Sequence, residues 1–586
     1  MRRSERPSAH RPHSQLTWRH WLLFGGIGVA LMVSTVRLWQ VQIVDHESYL
    51  EQAAVTRDGA APVVAPRGTI LDATGYPLAV SVDTWDVYLD SFLWRERDKA
   101  SLASIQLGDA LGVDADAIFA LGTQRDSGDA LLLRHLPYEQ GAALIDQGLW
   151  GVRLLPSSER VYPEGSLAGP LLGFVGLEDE GLWGVEADYD HVLRGHPGLV
   201  ISERDPLGRP IAFAPRLERT PAPGGEVTLT IDRFVQAIAE RRLDEALTDY
   251  QARSGSVIVM NPRTGAILAM ASRPAVTLSA DALGRDDLDS LVRDRPVTDL
   301  YEPGSVLKTL TTATAIDLGL ITPDTVYDDT GRVDVGDGRQ ILNWDFSANG
   351  ITSMTEFLQK SLNTGAVWIA QQIGASDFYR YLHAFGLGEP TLVGLSGEAE
   401  GLVRTPADDG WYPVDLATNS YGQGLAATPL QVLTAVNSFA NGGVLMRPYV
   451  VSRIVTNDEV RTFQPVQVRQ VVSADTARTM MRMMYDVVEG VPFHRARVPG
   501  YDVAGKTGTT LVSIPTGYDI DSTIASFAGF IPYEAPAVSI LVKIDQPEGD
   551  VNLGGQVAAP VFSKIAGDVM EYLAVPATNL ATVETR

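Results

Sequence analysis

Tyr301-Glu-Pro-Gly-Ser-Val-Leu-Lys-Thr309 contains the one Ser-x-x-Lys of this 586-residue chain, and the reading of its fold starts there. Pro303-Gly304 can open a helix, and a three-residue spacing then sets the Ser305 hydroxyl and the Lys308 amine on one face. The chain has six lysines (Lys99, Lys308, Lys360, Lys506, Lys543 and Lys564) against 41 arginines. Where arginine is so preferred, a lysine marks a place for what arginine cannot do, which is to shed its proton when partly buried. A neutral amine beside Ser305 can take the hydroxyl proton, and a helix N-terminus favours the negative charge that develops. Taken alone the pattern is weak, because a serine at a helix start with an exposed lysine three residues on reads the same way.

Two further stretches carry reactive side chains. Lys360-Ser361-Leu362-Asn363 is a Ser-x-Asn ending a helical stretch, where a hydroxyl can relay a proton and an amide can hold a peptide bond. Its plain alternative is a helix C-cap, with Asn363-Thr-Gly365 closing the helix. Ala504-Gly505-Lys506-Thr507-Gly508-Thr509 is a Lys-Thr-Gly. On a strand edge beside a cleft, Lys506 and Thr507 can hold a carboxylate while Gly508 lets backbone come close. The same residues complete a formally perfect phosphate-loop pattern, Gly500-Tyr-Asp-Val-Ala-Gly505-Lys506-Thr507. That loop requires a buried strand before it and a helix after it. The flanking sequence offers neither, since Gly508-Thr-Thr-Leu-Val-Ser513 continues as a strand.

Outward from these motifs, Val227–Ile231 reads as a strand and Asp232 as the cap of a helix reaching about Tyr250. Ser254–Met260, the turn Asn261–Gly265 and Ala266–Met270 read as a β-hairpin. Together with late strands they predict an α/β domain built on an antiparallel sheet. Upstream, residues 61–89 read as β, 93–150 as mixed helices, 151–220 as short strands and loops, and Thr220–Gly225 as a linker.

The net charge of −25 argues against nucleic-acid binding, since phosphate is repelled over most of such a surface. The absence of cysteine removes disulfides, thiolate metal sites and cysteine nucleophiles together. Charge is unevenly placed: residues 1–20 carry +4, and the remainder −29. Then comes the uncharged run Trp21–Val36, slightly short for a span unless Arg37 snorkels and Leu38, Trp39 and Val41 extend it. A cleaved signal peptide is the rival reading, but Val36-Arg37-Leu38-Trp39 offers no small-x-small cleavage site. With arginines inside, everything after about residue 42 is expected outside the cytoplasm. A helix over residues 38–56 is expected to lead away from the membrane.

In the order 305, 361, 506, the three motifs are the Ser-x-x-Lys, Ser-x-Asn and Lys-Thr-Gly set of the penicillin-recognising serine enzymes. The chain resembles a class B penicillin-binding protein over nearly its whole length. The first pedestal segment with this likeness is Ala65-Pro-Arg67-Gly68-Thr-Ile-Leu-Asp72, with Gly75 and Leu78-Ala79. Arg160-Val-Tyr162-Pro-Glu-Gly165 and Gly184-Val-Glu186-Ala-Asp-Tyr189 carry it further. In the catalytic part it lies in Tyr421-Gly-Gln-Gly424 and Thr428-Pro-Leu-Gln431. Tyr301–Ser305 and Ser526-Phe-Ala-Gly-Phe530-Ile-Pro are closer to the cell-division branch than to the elongation branch. Asp72-Ala73, where Asp-Arg is usual, and Val306-Leu307, where Thr-Phe is common, depart from the pattern without touching a reacting group.

The resemblance implies a basic cytoplasmic tail (1–20), a transmembrane helix (21–41) and a mixed, β-rich extracytoplasmic pedestal (42–225). A transpeptidase domain (226–578), its antiparallel sheet flanked by helices, and a short C-terminal tail (579–586) complete the expected order. It implies Ser305 as nucleophile on the D-Ala-D-Ala bond of a peptidoglycan stem peptide, Lys308 as base, Ser361 as proton relay and Asn363 as donor-peptide ligand. Lys506 and Thr507 then hold the terminal carboxylate, Gly508 admits the substrate backbone, and the N–H groups of Ser305 and Thr509 form the oxyanion hole. No metal or organic cofactor is implied. The implied partners are stem peptides, β-lactam antibiotics, a SEDS-family glycosyltransferase and division proteins. A β-lactam hydrolase or sensor, a catalytically idle division scaffold and an extracytoplasmic nucleoside triphosphatase, resting only on residues 500–507, remain as alternatives.

Overall fold

The computed structural model describes residues 18–44, 58–125, 128–203, 217–278, 284–336, 338–492, 494–515, 517–549 and 551–579. Most of the basic tail, residues 45–56 of the helix expected after the span, and the last seven residues lie outside the described residues. The chain divides into two units, residues 1–65 with 197–222 and residues 66–196 with 223–586.

In the first unit, Trp18–Trp39 is an α-helix continued by a π-helical turn, Gln40–Val44. Its stretch Trp21–Val44 is long and apolar enough to cross a membrane, and none of it is buried. Strands Asp58–Val63, Gly198–Glu203 and Leu217–Arg219 form a small antiparallel sheet in the same unit.

The second unit holds the three motifs around Ser305, Ser361 and Lys506. The elements from residue 233 onward that make up its main sheet, the helices around it and the site are numbered in chain order: α1 (Arg233–Asp249), β1 (Ser254–Met260), β2 (Ile267–Arg273), α2 (Lys308–Asp317), α3 (Met354–Lys360), α4 (Asn363–Ile373), α5 (Pro429–Ala440), α6 (Ala474–Glu489), β3 (Ala504–Ile514), β4 (Gly517–Ile531), β5 (Val538–Asp545) and α7 (Ala558–Tyr572). The five strands form one antiparallel sheet in the order β2-β1-β5-β4-β3, which leaves β3 at an edge. The expected cap is present: Asp232 Oδ1 accepts from the N–H groups of Phe234 and Val235 at 2.9 and 3.3 Å.

Strand alternation divides the core in two. Val257, Val259, Ala525, Phe527, Ile540 and Val542 point to α1 and α7. Ile258, Met260, Ala528, Phe530 and Leu541 point to the larger cluster that includes α2, α5 and α6. Both faces are covered, so β1 and β5 are buried at every position, as is otherwise typical of parallel sheets. Helix α5 is buried from Pro429 to Phe439, and its polar Asn437 is satisfied by Pro262 O (3.1 Å) and the Ser539 hydroxyl (2.7 Å).

Upstream of residue 225 the same unit contains a buried charge cluster. Glu186 accepts from Arg67 Nε and Arg160 Nε, both at 2.7 Å, with all three side chains at most 1% exposed. Arg67 also meets Asp190 at 2.6 Å, and Arg160 reaches the Gly68 carbonyl at 2.6 Å. The three upstream segments singled out in the sequence therefore meet at one ionic node of Arg67, Arg160 and Glu186. Gly68 is packed so tightly that a Cβ there would lie 2.9 Å from the Gly224 carbonyl carbon. The glycines ending the expected linker are held in place, Gly224 N–H on Pro66 O (3.0 Å) and Gly225 N–H on Val192 O (2.8 Å). A seven-stranded sheet also runs across residue 225, with Glu226–Leu229 parallel to Ile70–Leu71 and antiparallel to Val451–Val455.

Two upstream expectations need correction. Residues 93–150 are not only helical, because Asp129–Pro137 is a strand paired with Pro77–Asp90. Its run Leu131-Leu-Leu133 hides the two-residue period of a half-buried strand. Residues 151–220 include a ten-residue strand, Val152–Val161, and three one-turn helices, Gly169–Leu172, Gly184–Asp188 and Asp190–Leu193.

Candidate active site

Ser305 sits in a 3₁₀ turn, Gly304–Val306, directly before α2, and Lys308 is the first residue of that helix. The turn is wedged between two elements. Gly304 has φ +55° and donates its N–H to Gly422 O at 3.0 Å, and a Cβ on it would lie 2.6 Å from Thr510 Cγ2. Only glycine tolerates that backbone in that space.

Lys308 is fully buried, and its amine contacts all three motif residues nearest it. Nζ lies 3.0 Å from Ser305 Oγ, 2.7 Å from Ser361 O, 3.3 Å from Ser361 Oγ and 2.9 Å from Asn363 Oδ1. Burial pushes its pKa well below the ordinary lysine value, and the nearby Lys506 charge adds to the fall. Both effects shift the balance toward the neutral amine, the form that can accept a hydroxyl proton.

Ser361 and Asn363 are brought in by a sharp reversal. Helix α3 begins with a Ser353/Glu356 capping box and ends at Ser361, which has φ +56°. A serine held in the left-handed region costs of order 1 kcal/mol, and such strain is kept where surrounding bonds over-determine it. Here the Ser361 carbonyl and hydroxyl are both held by Lys308. The C-cap reading of Ser361 is therefore right, but Asn363-Thr-Gly365 opens α4 instead of closing α3.

Lys506, Thr507, Gly508 and Thr509 lie on edge strand β3, paired with Ala528, Phe527, Ser526 and Ala525 of β4. Lys506 is also buried, and burial lowers its pKa to about 7. Its Nζ lies 3.0 Å from Ser361 Oγ and 3.2 Å from Thr507 Oγ1. The Ser361 hydroxyl is thus shared by two lysines. Gly508 passes so close to the Ser305 turn that a Cβ would lie 2.6 Å from Pro303 O. Thr509 is fixed by the Gly554 N–H, which donates to its hydroxyl at 2.9 Å. Gly500–Thr507 runs directly into β3 with no helix after it, so the structural setting of a phosphate loop is missing.

Three supports escaped the sequence reading. Glu302, inside the opening motif, accepts from Gly424 N–H (2.9 Å) and Tyr518 OH (2.8 Å), while its carbonyl accepts from Thr510 Oγ1 (3.2 Å). It ties the Ser305 turn to the 421–424 loop and to the β3–β4 hairpin, and burial pushes its carboxyl up. Buried Asp329 gathers Gly331 N–H, the Asn343 and Asn349 amides, and the Thr364 hydroxyl at 2.7 Å, next door to Asn363. Leu342 O accepts the Asn363 amide N–H at 2.9 Å. A carboxylate so close to a nucleophile motif was a usable signal for Glu302, whereas Asp329 and Leu342 lie far from Asn363 in sequence and carry no local mark.

Comparison with known proteins covers most of the chain. The family model for the penicillin-binding protein transpeptidase domain matches residues 255–567, and that for the penicillin-binding protein dimerisation domain matches 62–229. Stage V sporulation protein D of Bacillus subtilis is 33% identical over 574 residues, spanning 96% of this chain and 87% of that protein. Peptidoglycan D,D-transpeptidase FtsI of Escherichia coli K12 is 29% identical over 591 residues, spanning 99% and 96%. A solved structure of penicillin binding protein 3 from Mycobacterium tuberculosis, complexed with aztreonam, superposes with TM-score 0.67 at 27% identity, covering 89% of this chain and 98% of that one.

Proposed function

The chain belongs to the penicillin-binding protein transpeptidase family, and on that premise we propose that it is a peptidoglycan D,D-transpeptidase with Ser305 as nucleophile. The observation that carries this reading is the position of a buried, pKa-depressed Lys308 amine 3.0 Å from Ser305 Oγ. Lys308 takes the hydroxyl proton as Ser305 attacks the carbonyl of a D-Ala-D-Ala bond. The N–H groups of Ser305 and Thr509 hold the developing oxyanion. The proton passes through the Ser361 hydroxyl to the departing D-alanine amine. Lys506 and Thr507 grip the terminal carboxylate, and Asn363 orients the donor peptide. An amine of a second stem peptide then takes the acyl group from Ser305 and forms the crosslink.

We also assign residues 42–225 to a pedestal, 226–578 to catalysis, and 1–20 and 579–586 to tails. In this reading the 21–41 helix anchors the protein with its N-terminus in the cytoplasm, as the +4 tail favours. Septal wall synthesis beside a SEDS-family glycosyltransferase and division proteins is the role assigned to it, supported by the motif resemblance to the division branch and by the FtsI relative.

Mass spectrometry after incubation with benzylpenicillin tests the reading. A long-lived adduct on Ser305, lost in Ser305→Ala, supports it. Rapid turnover of the drug indicates a hydrolase, no adduct an idle scaffold, and an adduct on another serine overturns the nucleophile.

A further inference from the structure

The segment between α2 and α3 ends in a loop that touches the active site from outside. Asn363 uses one end of its amide for Lys308 Nζ (2.9 Å) and the other for Leu342 O (2.9 Å). Two residues on, the Trp344 indole N–H donates to Lys360 O at 3.1 Å, immediately before Ser361. The loop is thus one side chain away from the catalytic amine.

Its large apolar side chains nevertheless face water. Trp344 is 59% exposed and Phe346 78% exposed, beside Leu342 and Ile351, which are also exposed. An exposed aromatic on a floppy loop would need no explanation, but this loop is braced. Asn343 donates to both Asp329 oxygens (3.1 and 3.0 Å) and to Ser347 O (3.0 Å), and Asp345 accepts from the Ser347 N–H (3.1 Å) and hydroxyl (2.7 Å). Phe346 itself is held at φ +58°, with its N–H on Asn343 O at 3.1 Å. An aromatic residue is disfavoured there, and asparagine or glycine would relieve the strain. Strain spent on holding an exposed ring in place points to a ligand for the ring.

We propose that Trp344 and Phe346 form a stacking platform for the sugar rings of a peptidoglycan strand whose stem peptide is in the active site. This rests on the transpeptidase reading above, in which the substrate is a peptide carried on a glycan and must extend beyond the pocket. Protruding rings cannot enclose an aliphatic side chain, but their flat faces suit the C–H face of a pyranose. The neighbouring Asp345 carboxylate and Ser347 hydroxyl supply polar partners for its hydroxyl groups. Continuity with the catalytic amine through Asn363 favours substrate over a separate protein partner.

The test uses the full-length protein in detergent and two substrates, peptide-bearing glycan strands and a sugar-free stem-peptide analogue. Phe346→Asn suits the left-handed backbone and replaces the stacking ring with a short carboxamide. It should lower kcat/KM on glycan strands relative to the sugar-free peptide by roughly three- to tenfold, chiefly through KM. Phe346→Tyr should restore the ratio. Glycan chains stripped of their peptides should quench tryptophan fluorescence in the parent and not in Trp344→Phe. An unchanged ratio in Phe346→Asn, an equal loss on both substrates, or no binding of stripped glycan by the parent overturns the platform. So does a loss seen only when other membrane proteins are present. Failure of the parent to be acylated by benzylpenicillin would instead bring down the transpeptidase reading beneath it.

Discussion

Replacing Lys308 by arginine separates a general base from a positive charge. Three acceptors crowd Nζ within 3.0 Å: Ser305 Oγ (3.0 Å), Asn363 Oδ1 (2.9 Å) and Ser361 O (2.7 Å). The site is fully buried, so a larger guanidinium that never deprotonates must enter charged. The loss of a positioned general base is worth about 10²–10⁴ in rate, or about 3–5 kcal/mol of barrier. Lys308→Arg should therefore acylate with a fluorescent penicillin at 10²–10⁴-fold lower second-order rate, by that principle. Lys308→Met removes the amine's desolvation cost but takes the donor from Ser361 O and Asn363 Oδ1; it should be equally slow, and its unfolding curve measured beside its acylation rate keeps misfolding from passing as loss of chemistry. Lys506→Arg should cost only about tenfold, because arginine can also hold a carboxylate. If Lys308→Arg acylates within about threefold of the parent, Ser305 is activated by another group and the base assignment falls.

Other outcomes follow from the same geometry. The pH profile of kcat/KM should rise as Lys308 loses its proton and fall again as Lys506, with a pKa of about 7, loses its own; a flat profile from pH 6 to 9 would contradict it. Because burial lowers the folded-state pKa of Lys506, the unfolded chain binds more protons between about 7 and 10.4, so Tm should climb with pH across that window and climb less in Lys506→Met. Glu186→Gln strips the charge from between Arg67 and Arg160 and should cost about 3–5 kcal/mol in denaturant unfolding, a loss below 1 kcal/mol arguing against the ionic node. Asp329→Asn unseats Thr364 and should slow penicillin acylation about tenfold through Asn363, with Ser305 still the labelled residue.

What the sequence made legible was chemistry carried by residue type: a rare lysine after a serine, a second serine, a Lys-Thr-Gly. These reach one point because α3 reverses at Ser361 and β3 lies at the sheet edge, and the motifs themselves reveal neither. The hairpin 254–270 and the Asp232 cap were readable because turn and cap residues act locally. The supports were not. Asp329 reaches Thr364 across 35 positions, and Tyr518 reaches Glu302 across 216. The phosphate-loop pattern shows the opposite hazard, since a matching string says nothing of the strand and helix that give it meaning.

In the transpeptidase mechanism proposed above, the two lysines around Ser361 also bear on the direction in which the proton moves. Positive charges at both Nζ atoms would oppose each other across one hydroxyl, 3.3 Å from Lys308 and 3.0 Å from Lys506. Lys308 feels the Lys506 charge in addition to burial, and both effects lower its pKa. A substrate carboxylate placed on Lys506 and Thr507 would stabilise the Lys506 proton and offset part of the charge that Lys308 feels. Once Lys308 has taken the Ser305 proton, the same repulsion makes it a poor resting place. The hydroxyl between the lysines offers the way out toward the departing amine. In that reading burial and repulsion push the proton on from Lys308 toward the leaving amine, a task that needs a base able to lose its proton, which an arginine at position 308 could not supply.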